Sequence, residues 1–153
     1  MLIKRSVHVG FTVADMDRSV AFYSALLDDQ PYFRRVFDEE FVSQIVGYPR
    51  CKMEVVGFNL PGTDMELELL HYHRPSPGRV DMETYNVGNG HLCLEIDDWD
   101  AAYERLQGLG AEFRHPEAAL ISLPGPFRGA RNVYLRDPDG ITIELTQPPL
   151  ACG

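Results

Sequence analysis

Two histidines and two glutamates stand out because their order repeats along the chain. His8 precedes Glu68 by 60 residues, and His91 precedes Glu144 by 53. Imidazole nitrogen together with carboxylate oxygen suits a borderline divalent cation: Zn, Ni, Co, Fe or Mn. Two neutral imidazoles and two carboxylates cancel the charge of such an ion. That matters because an isolated buried carboxylate is expensive. Four protein ligands in an octahedral site leave room for two waters, and the two oxygens of a small substrate could take those places.

The repeat extends beyond the ligand-type residues. The segment His8-Val9-Gly10-Phe11-Thr12-Val13-Ala14-Asp15-Met16-Asp17 aligns without a gap on His91-Leu92-Cys93-Leu94-Glu95-Ile96-Asp97-Asp98-Trp99-Asp100. Each has a leading His, apolar residues at the second, fourth and sixth places, and a closing acidic–apolar–Asp triplet. Further on, Met65-Glu66-Leu67-Glu68-Leu69 matches Ile141-Thr142-Ile143-Glu144-Leu145. Such self-similarity marks a duplicated module. The longer first interval is explained by residues 40–47, whose apolar spacing is helical and which end at Gly47-Tyr48-Pro49.

The elements that must position these groups read alike in both halves. Residues 6–13 alternate as a strand, and Asp15 or Asp17 caps a helix running to about residue 27. Strands follow at about residues 32–37, 53–60 and 64–72, the last two joined at Pro61-Gly62-Thr63-Asp64. In the second half, residues 92–96 form a strand and residues 99–109 a helix ending near Gly110. Strands at about residues 112–114, 131–135 and 141–147 follow, with Asp137-Pro138-Asp139-Gly140 turning into the last. This predicts an α+β fold of two tandem βαβββ modules, spanning residues 4–72 and 90–148, in one domain over 1–153. Residues 73–89, rich in Pro and Gly, form the linker.

Side chains on a strand point alternately to opposite faces. Val7, Val9, Phe11 and Val13 therefore share one face, and His8 lies on the other. His91, Glu68 and Glu144 oppose apolar partners in the same way. Parity allows Glu66 as well as Glu68, and alignment with Glu144 favours Glu68. A lone histidine is by default a core residue; the matched places in a repeat argue otherwise for His8 and His91. His71-x-His73 is a lesser metal-binding alternative at a strand end. Glu95 shares the face of His91, Trp99 and Tyr103 pack a helix, and His115 precedes Pro116 as a surface residue.

The 44% of hydrophobic residues suffices for a core, and the net charge of −9 leaves no basic footprint for nucleic acid. No stretch approaches the roughly 18 apolar residues of a membrane span, and the N-terminus lacks a signal-peptide pattern. Cys51, Cys93 and Cys152 are odd in number and have no C-x-x-C spacing, which fits free thiols in a reducing compartment. The expected location is the cytoplasm.

These residues resemble the vicinal oxygen chelate superfamily, which includes glyoxalase I, methylmalonyl-CoA epimerase, extradiol dioxygenases and bleomycin-binding proteins. The motifs that carry the resemblance are the His8 segment continued through Arg18-Ser19-Val20-Ala21-Phe22-Tyr23, Leu67-Glu68-Leu69-Leu70, the Gly90-His91 segment, and Arg136-Asp137-Pro138-Asp139-Gly140 with Glu144. The resemblance implies a curled mixed sheet around a central divalent metal ion, with His8, Glu68, His91 and Glu144 as ligands. The four-ligand pattern looks most like bacterial glyoxalase I, often nickel- or cobalt-dependent. No glutathione-binding pattern stands out in residues 73–90 or 122–129. The implied activity is a lyase, isomerase or epimerase that chelates vicinal oxygens of a small-molecule substrate and moves a proton through an enolate-like intermediate. Glu144 would act as ligand and base in turn, with Glu68 as its opposite number. Arg128 and Arg131 would hold an anionic substrate group. The alternatives are a metal-dependent dioxygenase, recognised by iron and oxygen consumption, and a non-catalytic binding or resistance protein. The family pairs modules within one chain or between two, and a homodimer is expected.

Overall fold

Alternating apolar residues and acidic helix caps recur in both halves, and the computed structural model shows what they build. It describes residues 2–149, and Cys152 lies outside them. The chain divides into two units, Met1–Val80 and Asp81–Gly153. Unit one contains β1 (His8–Thr12), α1 (Met16–Leu27), β2 (Phe33–Phe37), α2 (Glu40–Val46), β3 (Lys52–Asn59) and β4 (Glu66–Arg74). Its four-stranded sheet has the order β1-β4-β3-β2. β1 runs parallel to β4, and the other pairs are antiparallel.

Unit two contains β5 (His91–Glu95), α3 (Trp99–Gly108), β6 (Glu112–Phe113), β7 (Ala119–Leu120), β8 (Arg131–Arg136) and β9 (Thr142–Gln147). Its order, β5-β9-β8-β6, copies unit one, and β7 pairs with β8 as an addition. The expected α+β fold with duplicated βαβββ modules is present. Its strands form two open mixed sheets, one for each unit, because the first strand of each module hydrogen-bonds to the last strand of the same module. The two-residue β7 is too short to show an alternation, and the sequence reading lacked it.

Local chemistry explains the elements. Asp15, not Asp17, caps α1 by accepting from the Arg18 N–H at 3.0 Å. Asp98 caps α3 from the Ala101 N–H at 3.1 Å. Such caps contribute about 1 kcal/mol each. One face of sheet one is covered by α1: Phe22 and Tyr23 are buried, and Phe11 of β1 meets the Tyr23 ring at 6.1 Å. Leu67, Leu69 and Phe58 beneath are fully buried, at roughly 1.5–3 kcal/mol for each such side chain. In sheet two, Leu135, Ile143 and Leu145 are fully buried.

The turn before β9 is set by Asp137. Its carboxylate accepts from the backbone N–H groups of Asp139 at 2.9 Å and Ile141 at 2.7 Å. Gly140, at φ 88°, completes it in a conformation that L side chains avoid. The unit boundary falls inside the predicted linker, and Arg136 holds residues just after it. Its buried guanidinium donates to the carbonyls of Met82 at 2.5 Å and Gly140 at 2.8 Å, and lies 3.4 Å from Glu83. The second part of the linker is thereby fastened to sheet two.

Candidate metal centre

In sheet one, His8 is in register with Glu66, and Gly10 with Glu68. His8 and Glu68 are thus diagonal neighbours on one face, with Nε2 of His8 3.5 Å from Oε2 of Glu68. Glu66 is engaged elsewhere: it accepts a 2.7 Å hydrogen bond from the Tyr32 hydroxyl. That bond, some burial, and the charges of Glu66 and Glu68 push the Tyr32 phenol up to about 12. The Tyr32 ring lies over Gly57, where an added Cβ would come within 2.9 Å of it. On the same face by register, α2 seats Val42 and Val46 against Met53, Val55, Leu70, Tyr72, Phe33 and Phe37. The inserted helix therefore walls the site face with carbon beside the His–Glu pair.

Sheet two repeats the geometry. His91 is in register with Thr142, and Cys93 with Glu144, which places Nε2 of His91 3.1 Å from Oε2 of Glu144. This pair is the less exposed of the two, at 39% and 18% of the side chains against 47% and 27% for His8 and Glu68. Its neighbours are polar. The Asn132 amide donates to Oε1 of Glu144 at 2.7 Å, and the Thr146 hydroxyl donates to the Asn132 carbonyl oxygen at 3.2 Å. The Tyr134 ring lies 5.0 Å from that of His91. Burial first, then the Glu144 charge and a hydrogen bond to Glu144, push the Cys93 thiol up to about 11. Burial and the charge of Glu144 raise Tyr134 as well. Both groups stay protonated near neutrality.

Beside this second pair lies a cleft of about 610 Å³, lined by Glu144, Tyr134, Asn132, Arg114, His115 and Glu117 among others. Arg128 and Arg131 do not line it. The guanidinium that does, Arg114, is paired with Glu83 at 3.0 Å. His71 bonds the Val13 carbonyl through Nδ1, and its ring stacks edge-on with His73. Asn132 and Tyr134 were absent from the sequence reading. The pairing of β8 with β9 places them there, Tyr134 in register with Glu144 and Asn132 with Thr146, a relation that parity along one strand does not encode.

Each unit thus supplies one imidazole and one carboxylate. Among the described residues no three His, Cys, Asp or Glu side chains gather into one metal-holding group; the groups that do meet are the two His–Glu pairs. The donor chemistry fits a divalent ion: both halves offer a neutral-capable nitrogen beside a carboxylate oxygen, at the same diagonal register. Among the described residues no helix is long and apolar enough to cross a membrane.

Comparison with known proteins bears on the same residues. The family model described as Glyoxalase/Bleomycin resistance protein/Dioxygenase superfamily matches residues 5–145. The chain is 26% identical over 149 residues to a 2-epi-5-epi-valiolone epimerase of Actinomyces sp, covering 93% of this chain and 78% of the relative. It is 27% identical over 147 residues to a lactoylglutathione lyase of Neisseria meningitidis, covering 94% and 90%. The chain spans 36% and 44% of the length of two longer Arabidopsis thaliana relatives. The crystal structure of a glyoxalase family protein from Bacillus cereus superposes with a TM-score of 0.75 at 21% identity, covering 98% and 96% of the two chains.

Proposed function

The chain belongs to the Glyoxalase/Bleomycin resistance protein/Dioxygenase superfamily, and on that footing we propose that it is a metal-dependent lyase, isomerase or epimerase acting on a small substrate with oxygens on adjacent carbons. The observation that carries this reading is the duplicated pair: His8 beside Glu68 and His91 beside Glu144, each set by the same strand register. In this reading His8, Glu68, His91 and Glu144 are the ligands of the ion, one pair from each module, within one chain or between two. The bound metal would supply Lewis-acid polarisation of the substrate oxygens and a template for their placement.

The chain's own groups do the rest. A carboxylate among Glu68 and Glu144 takes the proton from the carbon beside the carbonyl and returns it. The Tyr32 hydroxyl is spent on Glu66, and the Tyr134 ring stands beside that of His91. The cleft against Glu144 receives the body of the substrate. Arg128 and Arg131 are the cations assigned to an anionic substrate group, and Arg114 is held by Glu83. The working assembly is a homodimer.

The relatives' names supply the test substrates. Metal-free protein, reloaded in turn with Ni, Co, Zn or Fe, is assayed on the methylglyoxal–glutathione hemithioacetal and on 2-epi-5-epi-valiolone. Turnover of either that appears on loading and vanishes on chelation is expected. Metal-independent turnover, or oxygen consumption with iron as the sole activity, overturns the reading.

A further inference from the structure

Of the titratable groups around the cleft of unit two, one has no task in the reading above. His115, expected from the sequence to be a surface residue before Pro116, lines the cleft together with Tyr134 and Glu144. Strand pairing explains how it comes there. β6 pairs with β8 through Phe113, and the Arg114 N–H still donates to the Tyr134 carbonyl at 2.8 Å. Tyr134 is in register with Glu144. The chain meets β8 again at Ala119, opposite Asn132. Residues 115–118 therefore loop out where β8 has Val133 alone, and His115 opens that loop.

The ring is held in a way that suits proton exchange. Its Nδ1 meets a donor and an acceptor of the same residue. Carrying a proton, Nδ1 donates to the Glu117 carbonyl at 2.8 Å. Without one, it accepts from the Glu117 N–H at 3.1 Å. Nδ1 is thus satisfied in either neutral tautomer and in the imidazolium. Nδ1 of His71, by contrast, meets only a carbonyl, that of Val13. Nε2 of His115 has no partner among the described residues, so it gains or loses a proton without costing the ring a hydrogen bond. The other groups at the cleft are committed. Glu83 holds the Arg114 guanidinium at 3.0 Å, and Asn132 donates to Glu144 at 2.7 Å. Burial and the Glu144 charge keep the proton on Tyr134. Glu117 adds a carboxylate, and His115 is the one imidazole among the lining residues. Imidazole is the side chain suited to passing protons near neutral pH.

We propose that His115 is a further catalytic residue, exchanging a proton through Nε2 with the oxygens of an α-hydroxycarbonyl ligand seated in the cleft. This rests on the proposed function and supplies the protons that it leaves unassigned. In the first half the C–H bond beside the carbonyl breaks, and its proton turns a carboxylate into a carboxylic acid. The imidazolium Nε2–H bond breaks as well, and that proton passes to the carbonyl oxygen. An enediol and a neutral imidazole result. In the second half Nε2 takes the proton of the other hydroxyl, a carbonyl forms there, and the carboxylic acid returns its proton to the neighbouring carbon. Both side chains end as they began, and no oxidant or reductant is needed.

The test uses the full-length chain, loaded with the metal that supports turnover, on whichever of the hemithioacetal and 2-epi-5-epi-valiolone the wild type converts. His115→Asn keeps an amide where Nδ1 met the Glu117 backbone and lacks Nε2. His115→Ala leaves room for free imidazole. Loss of a positioned acid–base group costs about 10²–10⁴-fold in rate. Both variants are expected to lose kcat by such a factor, with KM and metal content close to wild type, and added imidazole is expected to restore turnover in part to His115→Ala. If one variant does not fold, as read by circular dichroism, the other decides alone. A second readout needs neither metal nor turnover: nuclear magnetic resonance of the ring nitrogens in the metal-free chain should show both neutral tautomers of His115. Wild-type kcat in either folded variant overturns the role of His115 and leaves the proposed function standing. So does a loss that follows metal content or KM, or a ring fixed in one tautomer. A wild type that converts neither substrate with any of the metals overturns the proposed function and this inference together.

Discussion

Around Glu68 the neighbouring positions are Gly10, Gly57, Val55 and Leu70; around Glu144 the same positions hold Cys93, Tyr134, Asn132 and Thr146. The backbone register is identical and the chemistry is not. In unit one, carbon fills the space: Leu70 Cδ1 would meet a Cβ on Gly10 at 3.0 Å, and the Tyr32 ring occupies the room above Gly57. The α2 helix adds an apolar wall on the same face. In unit two, donors surround the carboxylate and an open cleft lies against it. Duplication with divergence has kept the His–Glu pair and changed what touches it. One half offers a lightly held carboxylate beside a closed wall, and the other a fastened carboxylate beside an open one.

The sharpest way to break this comparison is to truncate matched core residues. Leu69 and Leu145 follow the two glutamates and are both fully buried. Leu69→Ala and Leu145→Ala should each cost about 2–5 kcal/mol, read by urea denaturation of the metal-free protein. A loss under about 1 kcal/mol at either site would mean that its sheet does not pack as described.

The next largest effect separates the halves. Gly57→Ala places a methyl 2.9 Å from the tip of the exposed Tyr32 ring, which swings aside, and should cost about 1 kcal/mol, the worth of the hydrogen bond so lost. The bond released is that between Tyr32 and Glu66. The Tyr32 phenol, held at about 12 against an ordinary 10.0, then falls back towards its ordinary value, which ultraviolet titration detects. The sign is that of a raised acid: the stabilising contribution is intact below pH 10.0 and fades as pH rises towards about 12. A titration curve unchanged by Gly57→Ala would show that the phenol is not held as described.

The smallest effect sharpens the likeness instead. Asp15→Ala and Asp98→Ala remove corresponding helix caps and should each cost about 1 kcal/mol, measured as a shift in the denaturation midpoint. A neutral result at one site only would show that the helices begin differently in the two halves.

Much of this frame was legible in the sequence because a period of two leaves a visible trace. His8, Glu68, His91 and Glu144 each oppose apolar neighbours, and the repeat aligned them. The α2 insertion announced itself by helical spacing and the Gly47 stop, and its glycine indeed closes the helix at φ 76°. Other features needed register, which a single strand does not encode. Asn132 beside Glu144 is a cross-strand relation between β8 and β9. The reach of Arg136 to the Met82 carbonyl spans 54 residues, so the part of the linker held to sheet two could not be seen in the sequence. The choice between Asp15 and Asp17 as cap turned on which carboxylate reaches the Arg18 N–H.

The account stands most directly on metal content. Wild type, His8→Ala and His91→Ala, one histidine removed from each pair, are equilibrated with Ni(II), dialysed, and assayed by elemental analysis alongside protein concentration. Bound Ni(II) is expected in wild type and its loss in both variants, if both His–Glu pairs serve the same ion. Full Ni(II) retention by either histidine variant would contradict it.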